Sequence, residues 1–221
     1  MKTSSGERAL RPSSVAKREA ILDAAQAGFL ANGYDAVTMD AIARDSEVAK
    51  QTLYGHFGSK EALFLELVRS QTRAASERVL SEPPAIVRGT DARSLLGSVL
   101  REQLAIVLAP NLLALRRLVI GLLPQFPDLA RELYEHGAQR AIRSLAEVIG
   151  RLDAAGLLSV ADAEPAATQL NWLVMGEPVN RAMLLGDAAA RDGLDIAAHV
   201  DAALDVFLAA YGRPAGPTSP E

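Results

Sequence analysis

The sequence predicts an all-α protein, and three observations support this prediction. Ala and Leu, both strong helix formers, dominate the 221 residues. Apolar residues recur at helical spacing, as at Ile21, Ala25 and Phe29. Runs in which Val, Ile, Thr and Tyr alternate with polar residues, which are typical of strands, are absent. With 49% hydrophobic residues, the chain can bury a sizeable core.

The N-terminal segment is predicted to contain a disordered arm followed by two helices. Residues 1–14 are polar and lack periodicity, which favours disorder. The first helix begins at Val15 and breaks at Asn32 and Gly33, because both residue types accept the left-handed backbone conformation. Thr38 is a suitable N-cap for the second helix, because its hydroxyl can accept a hydrogen bond from a free backbone N–H.

Two further helices are predicted before a clear interruption of the pattern. A break at residues 46–48 leads into a third helix, which ends near Phe57. Ser59 is suited to cap a fourth helix, which runs to about Leu80. The segment "SEPPAIVRGTD" then interrupts the helical periodicity with two prolines and a glycine.

The remainder of the chain is predicted to form five more amphipathic helices. Pro127 suits the first position of a long helix, and Pro178 should kink the helix that contains it. The tail, residues 212–221, is rich in Pro and Gly and is predicted to be flexible. About nine helices are expected in all, and these last five have limits near residues 92–108, 111–123, 127–155, 163–185 and 194–211.

The composition excludes several classes of chemistry. The chain has no cysteine, so disulfides, thiolate metal sites and cysteine nucleophiles are excluded. His136 and His199 lack partners at metal-ligand spacing, and we expect neither a metal nor another cofactor. The start of the sequence does not resemble a signal peptide, and no apolar run is long enough to cross a bilayer, so we expect a cytoplasmic protein.

The charge is distributed unevenly along the chain. The formal net charge is −4 for the whole sequence. Residues 1–60 carry eight Lys and Arg against seven Asp and Glu, whereas the remaining residues carry fifteen against twenty. A mildly basic N-terminal segment on an acidic body is consistent with nucleic-acid contact through a small domain, and the signal is weak.

The third helix carries polar side chains of the kind that contact DNA. Leu53 and Phe57 should be buried on one side, which leaves the polar groups outside, as in a helix-turn-helix. Its first turn can enter a major groove about 12 Å wide, where Gln can read adenine and Lys can read guanine. The alternative is an amphipathic hairpin with a solvated polar face. The residues expected to face bases are Lys50, Gln51 and Thr52, and those expected to meet phosphates are Tyr54, His56, Lys60 and, at the start of the second helix, Thr38.

Residues 17–64 resemble the DNA-binding domain of TetR/AcrR-family transcriptional regulators, most closely in "TMDAIARDSEVAKQTLYGHFGSKEALFLEL". The family pattern TLY-x-x-F-x-x-K-E-x-L is matched from Thr52 to Leu63. The stretch "RRLVIGLLPQFPDLARELYEHGAQRAIRSLAEVIGRLDAAGLL" is similar to the C-terminal domain of the AefR-like branch. The resemblance implies a three-helix helix-turn-helix domain, residues 15–62, joined to a larger helical bundle for ligand binding and dimerisation, residues 63–211.

Three positions depart from the family pattern. Glu47 stands where a turn glycine is usual, so the turn must adopt a left-handed conformation at some cost or change shape. Ala49 replaces the usual Ser or Thr cap of the recognition helix, which weakens the start of that helix by about 1 kcal/mol. Gly55 replaces a frequent aromatic residue or His and removes one phosphate contact.

The larger domain is expected to bind an apolar effector and to form a homodimer. Large, adaptable side chains suggest the effector pocket, and an apolar stripe on the last helix suggests the dimer interface, although that stripe can equally belong to the core of one chain. Arg116 and Arg117 are expected to reach the surface or to pair with acids such as Glu132. The effector-binding candidates are Phe126, Trp172, Met175 and Met183, and the interface candidates are Val200, Leu204, Phe207 and Leu208.

These features predict a nucleoid-associated, ligand-responsive repressor that binds a palindromic operator as a homodimer. A small lipophilic effector would release it from DNA, with the fourth helix as the lever between the two domains. An activator of the same fold is the nearest alternative. A helical-bundle enzyme and a protein-binding adaptor are also open, although the sequence has no phosphate loop and no Ser, His and acid constellation.

Overall fold

The computed structural model describes residues 12–79, 85–186 and 192–213, and within these ranges the chain is all-α, as predicted. Ten α-helices and one π-helical segment are present there, and two residues outside the helices form an isolated antiparallel bridge. The helices are α1 Pro12–Ala36, α2 Met39–Asp45, α3 Lys50–Phe57, α4 Lys60–Val79, α5 Ala92–Val107, α6 Pro110–Gly121, α7 Pro127–Leu133, the π segment Tyr134–Ala138, α8 Gln139–Ala154, α9 Ala163–Leu185 and α10 Ile196–Tyr211.

The chain divides into two compact units, Met1–Val68 and Arg69–Glu221. The division falls inside α4, whereas the sequence placed it after residue 62. Helix α4 therefore supplies Phe64 and Leu67 to the core of the first unit, where both are fully buried, and continues into the second unit.

An aromatic cluster forms the centre of the first unit. The rings of Phe29, Tyr34 and Phe64 lie with their centroids 5.1 to 5.6 Å apart. Such contacts add to the stabilisation from burial alone. Gly33, at φ 78° and ψ 167°, interrupts the helical backbone of α1, so the predicted break is correct, although a further helical turn follows it. This turn places Tyr34 back against Phe29.

At both ends of the chain, some residues that we predicted to be disordered or flexible take part in secondary structure. Helix α1 already begins at Pro12, a residue type suited to the first turn of a helix; residues 1–11 of the predicted arm lie outside the described residues. At the other end, Gly212 pairs with Leu158 in the isolated bridge. Residues 214–221 of the predicted flexible tail lie outside the described residues.

The core of the second unit contains three of the four residues that we predicted for the dimer interface. Val200 and Leu204 are fully buried within the single chain, and Phe207 is almost so. They belong to a cluster formed by α5, α8, α9 and α10. Leu208 is half-buried and packs against the same cluster. Val200, Leu204 and Phe207 are therefore monomer core, the alternative that the sequence left open, whereas an interface role for the half-buried Leu208 stays a prediction.

The long helix predicted from 127 to 155 is interrupted by the π segment Tyr134–Ala138. A π turn inserts one extra residue into the helical register, and such insertions often occur at functional sites. The hydroxyl of Ser76 in α4 donates to the carbonyl of His136 within this segment, at 2.9 Å. Periodicity did not reveal the insertion, because the segment has no buried side chain whose spacing would show the shift of register.

Pro178 lies inside α9, as the sequence indicated, and has no N–H to donate to the carbonyl of Val174. The Nε2 of His199 in α10 donates to this carbonyl at 2.8 Å. A carbonyl oxygen only accepts, so the proton must be on Nε2. His199 therefore satisfies a backbone group that Pro178 leaves without its helical partner.

In the described part of the chain, no helix is by itself long and apolar enough to cross a membrane. Helices α5 and α6 together reach the length and composition of a span, but the chain bends by 62° between them.

Candidate DNA interface and ligand cavity

Helices α2 and α3 are joined by a short turn whose backbone is held by local hydrogen bonds. The hydroxyl of Thr38 accepts a hydrogen bond from the N–H of Ala41 at 3.2 Å and caps α2. The N–H of Val48 donates to the carbonyl of Ala43 at 3.0 Å and closes the turn. Glu47 adopts φ 55°, the left-handed conformation expected where glycine is usual. Ala49 precedes α3 without a side-chain cap.

Helix α3 is anchored by one buried residue and presents its polar residues outward. Leu53 is fully buried in the first unit. Gln51 and Tyr54 are exposed, Tyr54 to 42%, whereas Thr52 and His56 are partly covered. This arrangement is the one expected of a helix whose apolar side packs on the domain while its polar side is free for a partner.

Lys50 lies at the start of α3 and is paired with an acid of α2. Its Nζ is 2.7 Å from an Oδ atom of Asp40, and both side chains are largely exposed. The hydrogen bond to Asp40 raises the pKa of Lys50. The ammonium also lies 5.9 Å from the centre of the Tyr54 ring. An approaching base or phosphate therefore competes with Asp40 for Lys50.

Lys60 differs from Lys50, because its donors are directed into the first unit. Its Nζ donates to the backbone carbonyls of Tyr34 at 2.9 Å and Val37 at 3.0 Å, with Asp35 further away at 3.5 Å. The same ammonium lies 4.3 Å from the centre of the Tyr34 ring. A cation at the carbonyl end of a helix is favourable. Lys60 thus holds the end of α1 in the free protein, where the sequence predicted a phosphate contact.

The second unit contains a mostly apolar cavity of about 130 Å³. Residues of α4 to α9 and of the π segment line it, including Ile106, Leu115 and Val179. An apolar cavity of about 150 Å³ is large enough to bind benzene. The present cavity is close to that size, so it matches a ligand group no larger than one aromatic ring or a short alkyl chain.

A few polar groups face this apolar wall. Gln103 and Asn171 are buried and joined by a hydrogen bond of 3.3 Å from Nε2 to Oδ1. Thr72 is only 4% exposed, and its hydroxyl has no hydrogen-bond partner among the described residues. Arg116 is partly buried, and desolvation lowers the pKa of its guanidinium. Apolar walls with a few polar groups are typical of small-molecule sites.

A second cavity, of about 450 Å³, shares part of its lining with the first. Arg116, Leu133, Ala138 and Trp172 line both. Arg116 and Trp172 therefore lie where a ligand in the smaller cavity could extend into the larger one.

Two of the four predicted effector residues line the cavities. Trp172 contributes to both, and Met175 contributes to the smaller one. Phe126 and Met183 line neither: Phe126 precedes α7, and Met183 packs against the core of the second unit. Large side chains at helical spacing do not distinguish cavity wall from core, because both environments favour them.

A model of the C-terminal domain of AefR-like transcriptional repressors matches residues 94–213, more than half of the chain. The chain belongs to the TetR family of transcriptional regulators. A second model, of bacterial regulatory proteins of the tetR family, matches residues 21–67, which include α2 and α3. The resemblance seen in the sequence is confirmed in both halves of the chain.

Solved structures of TetR-family proteins share this fold along most of the chain. A transcriptional regulator from Mesorhizobium loti is 32% identical, with a TM-score of 0.80, over 92% of this chain and all of its own. The flavonoid-responsive regulator FrrA is also 32% identical, with a TM-score of 0.73, over 90% of this chain and 98% of its own. A TetR-family regulator from Pseudomonas syringae is 29% identical, with a TM-score of 0.67, over 90% of this chain and 98% of its own.

Curated relatives match only a short segment of this TetR-family chain. The regulator QacR of Staphylococcus aureus is 45% identical over 51 residues, which are 23% of this chain and 27% of QacR. The regulator YhgD of Bacillus subtilis is 43% identical over 54 residues, or 24% of this chain and 28% of its own length. The matched segment thus spans about a quarter of these curated relatives.

Sequence reasoning missed the polar residues of the cavity in this TetR-family protein. Gln103 lies among Leu96, Leu100 and Leu104 on the apolar side of α5, and Asn171 follows the buried Leu170 on α9. A polar residue at a position of the apolar stripe is a signal that could have identified both. Thr72 occupies a buried position in α4 and carries the same signal.

Glu132, the acid that the sequence suggested as a partner for the two arginines of α6, has other partners. Glu132 is paired instead with Arg69, whose Nε lies 3.1 Å from its Oε2, and is 3.7 Å from Nε2 of His136. Arg117 donates to the carbonyl of Ala182 at 3.2 Å. Arg116 lines the cavities and has no ion pair among the described residues.

Proposed function

We propose that the protein is a ligand-responsive transcriptional repressor that binds a palindromic operator as a homodimer and is released by a small effector. The observation that carries this proposal is the outer surface of α3, where Lys50, Gln51 and Tyr54 are exposed on a helix anchored by Leu53. Short exposed helices of this kind read base edges in the major groove. We do not expect catalytic activity, and we expect the protein in the cytoplasm, at the nucleoid.

Base reading is assigned to Lys50, Gln51 and Thr52, and phosphate contact to Thr38, Tyr54 and His56. Thr38 supports this role because it begins α2, where free N–H groups favour a phosphate. Lys60 is also kept as a phosphate contact. To reach a phosphate, it would have to give up its hydrogen bonds to the carbonyls at the end of α1.

Effector binding is assigned to the cavity that Trp172 and Met175 line. Helix α4 supports a regulatory role for this cavity, because Thr72 and Ser76 line it while Leu63 and Phe64 of the same helix belong to the core of the first unit. The relative FrrA is a flavonoid-responsive regulator, which favours an organic effector with an aromatic ring. The coupling requires that the ligand prefer the arrangement that does not bind DNA, by about 1–3 kcal/mol.

Dimerisation is assigned to the exposed sides of α9 and α10. Asp201 and Asp205 of α10 pair with Arg101 and Arg93 of α5, which leaves an uncharged side on α10. That side carries Val206, which is 58% exposed, and Ala198, Ala202, Ala209 and Ala210, which are also exposed. Helix α9 exposes Leu173 and Leu184. A dimer of this kind suits a palindromic site, because each recognition helix reads only a few base pairs.

The test is selection of bound duplexes from a random DNA pool, followed by titration of the winning duplex at several salt concentrations. The proposal predicts an enriched inverted repeat, with log affinity falling against log salt at about −0.9 per phosphate contact. Binding that is absent even at low salt would contradict it and would favour a protein-binding adaptor. Whether the protein represses or activates is then read from a reporter that carries the selected site.

Two substitutions separate base reading from phosphate contact on the selected duplex. Gln51→Ala should change the preferred base at one position of each half-site, because a bidentate side chain discriminates against the wrong base by about 1–3 kcal/mol. Tyr54→Phe should weaken binding by a similar factor on all sequences, because a phosphate contact carries no sequence information. Both are measured by repeating the selection, and an unchanged preference in Gln51→Ala would remove Gln51 from the reading set.

A further inference from the structure

Arg116 is a partly buried cation that has no counter-ion among the described residues. It lines both cavities from α6, a mostly apolar helix. Within the described ranges no carboxylate lies within ion-pair distance of it. Glu164 lines the larger cavity as well but does not pair with Arg116. Its sequence neighbour Arg117, by contrast, donates to the carbonyl of Ala182.

An arginine in this position is costly unless something compensates it. Removing a charge from water without a partner is strongly unfavourable, which is why buried charges are normally paired. Desolvation accordingly lowers the pKa of Arg116, although a guanidinium remains charged at neutral pH. The hydroxyl of Thr72, on the same cavity, also lacks a partner among the described residues. Thr72 and Arg116, which both line this cavity, thus have no hydrogen-bond partner among the described residues.

We propose that the effector is an organic carboxylate, whose carboxyl group pairs with Arg116 while its apolar part fills the smaller cavity. This inference rests on the proposed function and specifies its ligand. A guanidinium binds a carboxylate through two parallel hydrogen bonds. Ile106, Leu115 and Val179 provide the apolar wall. The volume of about 130 Å³ fits one aromatic ring, so arylalkanoic acids are the expected class.

Acid and amide pairs of the same shape test this proposal on the free protein, without DNA. Benzoate, 3-phenylpropanoate and 4-phenylbutanoate are each compared with the corresponding primary amide by isothermal titration calorimetry. Trp172 is the single tryptophan of the chain and lines both cavities, so its fluorescence gives a second readout. The acid of at least one pair should bind about tenfold more tightly than its amide, because a charge-assisted pair replaces a neutral contact.

Substitutions at Arg116 assign the preference to this residue. Arg116→Met should abolish the preference for the acid and leave the affinity for the amide unchanged. Arg116→Lys should retain part of the preference for the acid. Arg116→Met should also raise the thermal midpoint of the free protein, since it removes a partly buried charge that has no ion-pair partner among the described residues. Arg131→Gln is the matched control, because Arg131 is an exposed arginine that lines neither cavity, and it should leave both affinities unchanged.

The possible outcomes are distinct. Equal affinity for acids and amides, or binding of none of the six compounds, overturns the proposal. Loss of the preference in Arg140→Gln but not in Arg116→Met also overturns it, because Arg140 is the exposed arginine on the smaller cavity. An acid preference that depends on Arg116 in a protein that binds no operator would sustain this inference while refuting the repressor function. A protein that binds its operator but shows no preference for acids would sustain the repressor function and refute this inference.

Discussion

Lys50 and Lys60, which are ten positions apart in the chain, show how the surroundings of a residue decide its role. The sequence assigned both to DNA. Lys50 is exposed, and its ion pair with Asp40 lies on the surface, where a phosphate or a base can replace it. Lys60 donates to the backbone carbonyls of Tyr34 and Val37 at the end of α1. If Lys60 moved to a phosphate, these carbonyls would lose their charged donor.

The two lysines should therefore respond oppositely to the same substitution. Lys60→Met should lower the free energy of unfolding by about 1–3 kcal/mol, because it leaves helix-terminal carbonyls without their charged donor. Lys50→Met should leave unfolding unchanged and weaken operator binding. Urea unfolding followed by circular dichroism, together with DNA titration, checks both. A Lys60→Met protein of unchanged stability with weakened operator binding would restore Lys60 to the phosphate contacts.

At the scale of elements, α9 and α10 are joined by a hydrogen bond that compensates a defect in one helix. Pro178 deprives the carbonyl of Val174 of its helical donor, and His199 supplies another at 2.8 Å. The proline and the histidine are 21 positions apart, and each was noted separately in the sequence. Their relation depends on how the two helices pack.

A double-mutant cycle tests this compensation. His199→Phe should lower the free energy of unfolding by about 1–3 kcal/mol, because it leaves the buried carbonyl without a partner. In a Pro178→Ala background the same substitution should cost less, since residue 178 can then donate its own N–H to Val174. Urea unfolding of the four proteins gives the coupling free energy. Equal costs in the two backgrounds would show that His199 acts independently of Pro178.

For the whole molecule, the buried side of α10 belongs to the core of one chain, and its exposed side carries the proposed dimer interface. Leu204 is fully buried in the core of one chain, whereas Val206, two positions away, is 58% exposed. A single helix can serve both purposes because its opposite sides face different surroundings. The proposed dimer therefore depends on Val206 and its exposed alanine neighbours, and the folding of the second unit depends on Leu204.

Substitutions on the two sides should separate assembly from folding. Val206→Glu should shift the protein from dimer to monomer in analytical ultracentrifugation while preserving its helical content, because it places charges in an uncharged interface. Leu204→Ala should lower the free energy of unfolding by about 2–5 kcal/mol, as expected for a truncated core leucine, and leave the folded protein dimeric. A Val206→Glu protein that remains dimeric at the same concentrations would place the interface elsewhere.

The sequence by itself determined the helical class, most helix limits and the family, because helical periodicity, caps and the motif around Tyr54 are local properties of the chain. The left-handed conformation of Glu47 could also be anticipated, since the turn it occupies is defined by its neighbours. Only the tertiary structure decided which side of α10 is core, that Lys60 binds the end of α1, and that Arg116 lines the cavities without a counter-ion among the described residues. These properties depend on contacts between residues distant in the chain, and no local pattern specifies which residues those contacts bring together.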